Sequence, residues 1–483
     1  MKRIICIALL LAASMTAFGQ EEKKEQAKTG INFGPLPAIG YSSDLGWHYG
    51  ALTDIYWYGD GSKYPKYIWK ANVEASWYSK GNSVYHSFFD SKYLIPGLRV
   101  SAAISYFGNK TTNFYGFNGS SSLYVPELDR ITVNGKTNDY VPEGQGFYLM
   151  KRNIFRVATC FQGKFGDSNW GWAGGLTYWW ITTGHAENKS LAGYDKKAGT
   201  PATDLSLYDL YVKHDIIPEQ EKAGGHHLEL KAGVVFDTRD HENNPTRGTN
   251  LEVYFFGSPD ILNGDRGGYR NDYLKLAVHF KQFFPLVKDR LVFGGHLAYQ
   301  GLIAGNAPYY MLQSIQAINM KQINTEGLGS TCTLRGTIAN RLQGNGYAWA
   351  NLELRWSFVK FRWINQNWTL ATNPFFDMGM IVQPYRAEQM KSLLTDLTPV
   401  NAFTTKDKEG NVTGTTAMLA KDFYTEQSEG LHMSAGIGLH VIMNQNFNIN
   451  FEFGKAFYDG KSFGWANNDG SGIGINIGLN YIF

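Results

Sequence analysis

Cysteine is scarce in this 483-residue chain: three in all, with Cys6 in the opening apolar stretch and Cys160 and Cys332 far apart. That is no disulfide framework, and two inert thiols are the expectation. Long apolar runs are missing as well. No stretch after the opening residues reaches the roughly 18 apolar residues a membrane helix needs, and a mean hydropathy of −0.30 does not suit a helical bundle in lipid. Charge is thin, with Asp, Glu, Lys and Arg at 18% of residues against an ordinary level of about 25%. The net charge of +3, which falls to +1 without Lys2 and Arg3, excludes the basic stripe of a nucleic-acid binder. Catalytic signatures are missing too: there is no Gly-x-Ser-x-Gly elbow, His-Glu-x-x-His, Cys-x-x-Cys or phosphate loop. No enzymatic activity, cofactor or metal is therefore expected. His226-His227 is no metal pair on this reading, because adjacent strand residues face opposite sides.

What is present begins with a leader. Lys2 and Arg3, the apolar run Ile4–Ala13 and the small-x-small site Ala17-Phe18-Gly19 predict a signal peptide over 1–19, cleaved before Gln20. A short polar periplasmic tail, 20–30, follows. From Ile31 onward the dominant signal is two-residue alternation, the period of a strand with two unlike faces. Ile473, Ile475, Ile477, Leu479, Tyr481 and Phe483 point one way, and Gly474, Asn476, Gly478 and Asn480 the other. The polar face is rich in Gly and Asn, as suits a crowded barrel interior.

Sixteen such strands can be placed, from Ile31–Tyr41 to Gly472–Phe483, most of them long enough to cross a bilayer when tilted. Their links alternate. Ile95–Gly97, Gly166–Asn169, Leu286–Asp289 and Asn444–Asn446 are short; Asn109–Gly146, Gly184–His226, Ala304–Gly346 and Gln383–Gly430 are long. Short periplasmic turns, long outer loops and an even strand count define a bacterial outer-membrane barrel. Because lipid cannot satisfy an open sheet edge, only a closed sheet can span. The expectation is all-β: a 16-stranded antiparallel transmembrane β-barrel over 31–483, in the bacterial outer membrane.

Several segments resemble the BamA/TamA superfamily of outer-membrane assembly and secretion proteins, the bacterial surface antigen family, mainly over 227–483. Asp237-Thr-Arg239-Asp240 with Asn244-Pro245-Thr-Arg-Gly248 resembles its strand–turn–strand signature, and stands independently as a periplasmic turn. Thr333-Leu-Arg335-Gly336-Thr337 resembles the Arg-Gly motif of the sixth outer loop, with Thr337 in place of an aromatic residue. Asn351-Leu-Glu353-Leu-Arg355 and Phe375-Phe-Asp377-Met-Gly379 resemble the strands that follow, and Phe114-Tyr-Gly116-Phe-Asn-Gly119 a third-loop segment. Strand parity directs Glu353, Asp377 and Gly379 into the lumen. The resemblance implies that loop six folds inward and brings Arg335 to that wall, with Gly336 permitting close approach. A solvated Arg335, with Glu353 paired to Arg355, is the alternative. Tyr481 and Phe483 resemble the C-terminal aromatic signal for barrel insertion.

The resemblance further implies work on outer-membrane proteins or lipids: inserting barrels, moving a polypeptide or thinning the bilayer near a weak seam. The family's assembly members carry periplasmic POTRA modules, for which 20–30 leaves no room. Expected partners are outer-membrane lipids and lipopolysaccharide, the cell's barrel-assembly machinery for its own insertion, and a periplasmic or membrane protein supplying the recruiting surface. The contrasting class is a passive channel or a surface barrel whose loops bind ligands.

Overall fold

The computed structural model describes residues 27–42, 46–64, 66–79, 81–125, 147–186, 206–242, 244–318, 326–329, 333–406, 412–444, 447–461 and 473–479. Its long strands are β1 (Ile31–Ser42), β2 (Gly46–Trp57), β3 (Trp69–Tyr78), β4 (Ser83–Ile95), β5 (Leu98–Gly108), β6 (Leu149–Lys164), β7 (Trp170–His185) and β8 (Gly224–Asp237). They continue as β9 (Gly248–Ser258), β10 (Tyr273–Val287), β11 (Leu291–Gly305), β12 (Gly346–Trp363), β13 (Gln366–Gln383), β14 (His432–Met443), β15 (Phe447–Asp459) and β16 (Gly474–Leu479). Every consecutive pair is antiparallel, and the piece Thr112–Asn113 adds a short seventeenth member beside β6. The sheet curls until β1 lies alongside β16. Among the described residues no backbone ladder joins those two strands.

Alternation produces the two surfaces. Ile437, Leu439, Phe453, Ile475 and Ile477 are exposed on the outside, whereas Glu353, Asp377, His440 and Glu452 are buried inside. Two aromatic belts bound the outer surface. Tyr49, Trp77, Tyr85 and Tyr106 form a chain of rings on β2–β5 toward the outer rim, at centroid distances of 6.2, 5.9 and 6.3 Å. Trp57, Trp69 and Phe89 form another toward the periplasm, at 6.0 and 6.5 Å. From Tyr49 to Trp57 the strand advances roughly 26 Å at about 3.3 Å per residue. A tilted strand of that length matches the apolar band of an outer-membrane barrel.

Most strand limits fall within a few residues of those read from sequence. The β12–β13 hairpin differs, because Val359–Trp363 and Gln366–Asn367 are strand rather than turn. A register irregularity between Ser357 and Val359 is the reason. It puts two apolar residues, Phe358 and Val359, in succession and so hides the alternation from a sequence reading.

Candidate functional site

Arg335 of loop six is fully buried against the luminal wall, fixed by three strands. Its guanidinium forks onto Asp377 of β13, with Nε to Oδ2 at 2.8 Å and Nη2 to Oδ1 at 2.7 Å, while its backbone N–H donates to Oδ2 at 3.0 Å. Nη1 donates to Glu353 Oε1 of β12 at 2.5 Å and to Glu452 Oε1 of β15 at 3.0 Å. The same group lies over the Phe375 ring, 3.6 Å from its centroid. Arg suits this position because its planar fork serves several carboxylates at once, which an ammonium cannot do with the same geometry. Arg355 Nε donates to Glu353 Oε2 at 2.8 Å, so Glu353 binds both arginines.

The wall around this cluster is ordered by amides. Asn351 Nδ2 donates to the Thr333 carbonyl at 2.6 Å and to Asp377 Oδ1 at 2.9 Å, which ties loop and wall together. Both partners are acceptors, so its Oδ1 faces His296 Nδ1, 3.1 Å away, and that nitrogen is the donor. Gly336 has φ +91°, and a Cβ there would meet the Lys455 backbone N at 2.3 Å and Gly454 C at 2.4 Å. Only glycine permits this approach. The Gly336 carbonyl accepts from Ala456 N at 3.3 Å, seating the loop tip on β15. Gly379 also lacks room, because a Cβ would lie 2.9 Å from Trp349 Cβ and 3.3 Å from Leu328 Cδ1.

The turn between β8 and β9, read from the sequence as periplasmic, is built by Asp240, whose Oδ1 accepts from the backbone N–H groups of Thr246 at 2.9 Å and Arg247 at 3.3 Å. Burial raises that carboxyl, but the bonds from Thr246 and Arg247 prevail and hold it below its ordinary range. Asp237 takes a fork from Arg239 at 2.9 and 2.8 Å. Pro245 is buried, and Gly248 has φ +104° where a Cβ would clash with the Thr238 carbonyl.

Above the wall the outer loops pack on one another. Phe117 of loop three meets Tyr211 of loop four at 5.4 Å, Tyr309 of loop six at 6.3 Å and Tyr385 of loop seven at 4.8 Å. Glu221, fully buried, accepts from Asn271 Nδ2 at 2.8 Å, Tyr309 N at 2.9 Å and Tyr385 Oη at 3.3 Å, and also from Tyr269 Oη. One carboxylate thus ties loop four to loops five, six and seven.

Residues 69–483 match the Omp85 superfamily domain. The chain belongs to the Omp85 superfamily. It is therefore an outer-membrane β-barrel protein. Solved structures similar to this Omp85 chain include BamA from Haemophilus ducreyi lacking POTRA domains 1-3, at 16% identity and TM-score 0.49, over 95% of this chain and 71% of that one. CdiB from Escherichia coli aligns at 9% identity and TM-score 0.49, over 93% of this chain and 62% of that one. CdiB from Acinetobacter baumannii aligns at 11% identity and TM-score 0.39, over 94% and 65%. No curated protein matches the sequence.

Within this Omp85 barrel the structure brings Arg335, Glu353 and Asp377 together, and Gly336 and Gly379 line the approach. The two pairings set against each other in the sequence, Glu353 with Arg335 or with Arg355, coexist. Sequence reasoning missed Glu452. Its inward parity was visible, but nothing in the strand pattern marks a partner 117 positions away. Glu221 and the aromatic dome carried no period at all. His226 stacks on Trp180 at 5.7 Å, while His227 is buried with Nε2 3.0 Å from Tyr310 Oη, so the two histidines do diverge. Tyr481 and Phe483 lie outside the described residues.

Proposed function

We propose that this barrel supports outer-membrane protein assembly or polypeptide translocation together with a partner, and that Arg335, Gly336, Glu353, Asp377 and Gly379 lock loop six inside the lumen. The observation that carries the reading is Arg335, held by carboxylates from β12, β13 and β15 deep inside the barrel. A general porin needs an open lumen; a loop anchored by buried charges occupies it. The reading assigns the chain no chemical step and no cofactor.

Planar-bilayer recording tests it against the passive-channel alternative. Wild-type protein should conduct little, and Arg335→Ala should conduct more. A large, steady wild-type conductance unchanged by Arg335→Ala would favour the channel. Alone in liposomes the protein should not speed folding of a second barrel beyond a porin control; acceleration by the lone chain would refute the partner requirement. The chain's own insertion is read as depending on Phe483, so deleting it should lower the inserted amount more than Phe457→Leu does.

A further inference from the structure

One stretch of the luminal wall, away from the Arg335 cluster, holds charge that its neighbours do not meet. Arg156 of β6, Trp179 of β7 and His227 of β8 are successive cross-strand partners, so their side chains share the inward face. Lys231 of β8, Phe256 of β9 and Lys275 of β10 form a second such row. All six are buried. Rings join the two rows. The His227 and Tyr273 centroids are 6.1 Å apart, and Lys275 Nζ is 5.9 Å from the Tyr273 centroid. Arg156 lies over Trp179, its Cζ 5.1 Å from the ring centroid.

The cations here outnumber the acids. Glu229 acts electrostatically on Arg156, Lys231 and Lys275, but its close contact is with Tyr273, whose Oη donates to Oε2 at 2.9 Å. Glu252, the next carboxylate along the wall, acts on Lys231 and is shared with Lys281 and Arg239. Lys231 donates to the Ala317 carbonyl at 2.8 Å. Arg156 and Lys275 have no such acceptor. Arg156 Nε and Nη1 are buried without a hydrogen-bond partner among the described residues, as is His227 Nδ1. Lys275 Nζ has the Tyr273 ring beside it and no hydrogen bond among those residues. Loop six does not supply the acceptor, because its one acid, Glu326, acts on Arg152.

We infer that this wall is a binding site for a phosphoryl oxyanion, held between Arg156 and Lys275. A guanidinium and an ammonium with unmade bonds are costly to bury. Water would complete the bonds and leave the excess charge; an oxyanion answers both. Phosphate suits the set better than a carboxylate, because the unbonded groups come from three strands, β6, β8 and β10, and four oxygens can meet them. The planar fork of Arg156 takes two of those oxygens, and the Lys275 ammonium a third. Free phosphate and the phosphoryl group of a membrane lipid share this chemistry.

The test uses the full-length protein in phosphatidylcholine nanodiscs, titrated in a calorimeter with inorganic phosphate, and with chloride at equal ionic strength as control. Phosphate should bind where chloride does not. Arg156→Gln and Lys275→Gln should each weaken it by about tenfold or more, the loss expected for one charge-assisted hydrogen bond. Lys288→Gln, which changes an exposed lysine in the β10–β11 turn, should leave it unchanged. Heat-modifiable gel mobility confirms that each variant is folded. Phosphate should also raise the unfolding temperature of the wild type and not that of Arg156→Gln, a difference that a purely structural arginine would not produce. Nanodiscs of phosphatidylcholine and phosphatidic acid, four to one, separate the sources. An undiminished phosphate site there assigns the free anion; loss of that site, with an Arg156-dependent rise in unfolding temperature, assigns the lipid. Neither phosphate binding nor an Arg156-dependent effect of phosphatidic acid would overturn the proposal, and so would a phosphate affinity indifferent to both substitutions.

Discussion

The two rims of the barrel are held by opposite chemistry. At the outer rim the loops are long enough to bury side chains against each other, and Phe117, Tyr211, Tyr309 and Tyr385 are all 1% exposed or less. At the periplasmic rim the turns are too short to own a core. There, carboxylates cap backbone N–H groups and pair with cations: Asp240 holds its turn, and Glu242 binds Lys92 and also Arg99 at 3.1 Å. Apolar packing spreads each contact over many partners, so the outer rim should loosen as a unit. Polar caps act singly, so the periplasmic rim should loosen turn by turn and respond to pH. Arg335 sits between these regimes, a charged anchor beneath an apolar dome.

The sharpest attack on that contrast is Arg335→Ala. Removing one side of a buried charge cluster costs about 3–5 kcal/mol, less where water fills the lumen. The barrel should still insert, with loop six newly sensitive to protease. A double-mutant cycle with Asp377→Asn measures the coupling, and simple additivity would remove the lock. Gly336→Ala comes next. It forces an alanine to φ +91° and its Cβ onto the Lys455 backbone, which side-chain movement cannot relieve. A cost of about 1–3 kcal/mol in denaturant unfolding is expected.

Glu221→Gln tests whether the dome is one unit. Exchanging the buried acceptor for an amide should cost about 1–2 kcal/mol by weakening bonds to Asn271, Tyr309 and Tyr385. Proteolysis should then rise in loops four, five, six and seven together; cleavage of one loop alone would break the contrast. Glu242→Gln carries the smallest effect, at most about 1 kcal/mol, because the pair is partly exposed. Burial pushes the Glu242 carboxyl up, but Arg99, Lys92 and Arg239 outweigh it and hold the group well below the usual range. A carboxyl depressed in the fold stabilises above its unfolded value, about 4.3, and that contribution fades as pH falls. Amide protection in the β8–β9 turn, corrected for the intrinsic exchange rate at each pH, should therefore fall on acidification below about pH 4 in the wild type. Glu242→Gln should lose part of that step and keep the part that Asp240, also depressed in the fold, contributes.

How much of this was legible beforehand follows from distance along the chain. Strand parity is local, since each residue's face is set by its immediate neighbours, so Glu353 and Asp377 could be directed inward from the sequence. The Asp240–Gly248 turn is local too. The extension of β12 escaped because one irregularity at Ser357–Val359 broke the period. Glu452 and Glu221 escaped because a buried carboxylate is defined by donors brought from other loops and strands.

By itself the sequence determined the strands, their faces, the long-and-short rhythm of the links and the family motifs, since backbone geometry imposes a two-residue period wherever a sheet has unlike sides. Only the tertiary structure decided what meets across the lumen. Curling sixteen strands around a lumen sets β15 beside an arginine from loop six, and stacks four loops into one aromatic core. No period encodes those encounters, because they depend on strand order around the barrel rather than on neighbours in the chain.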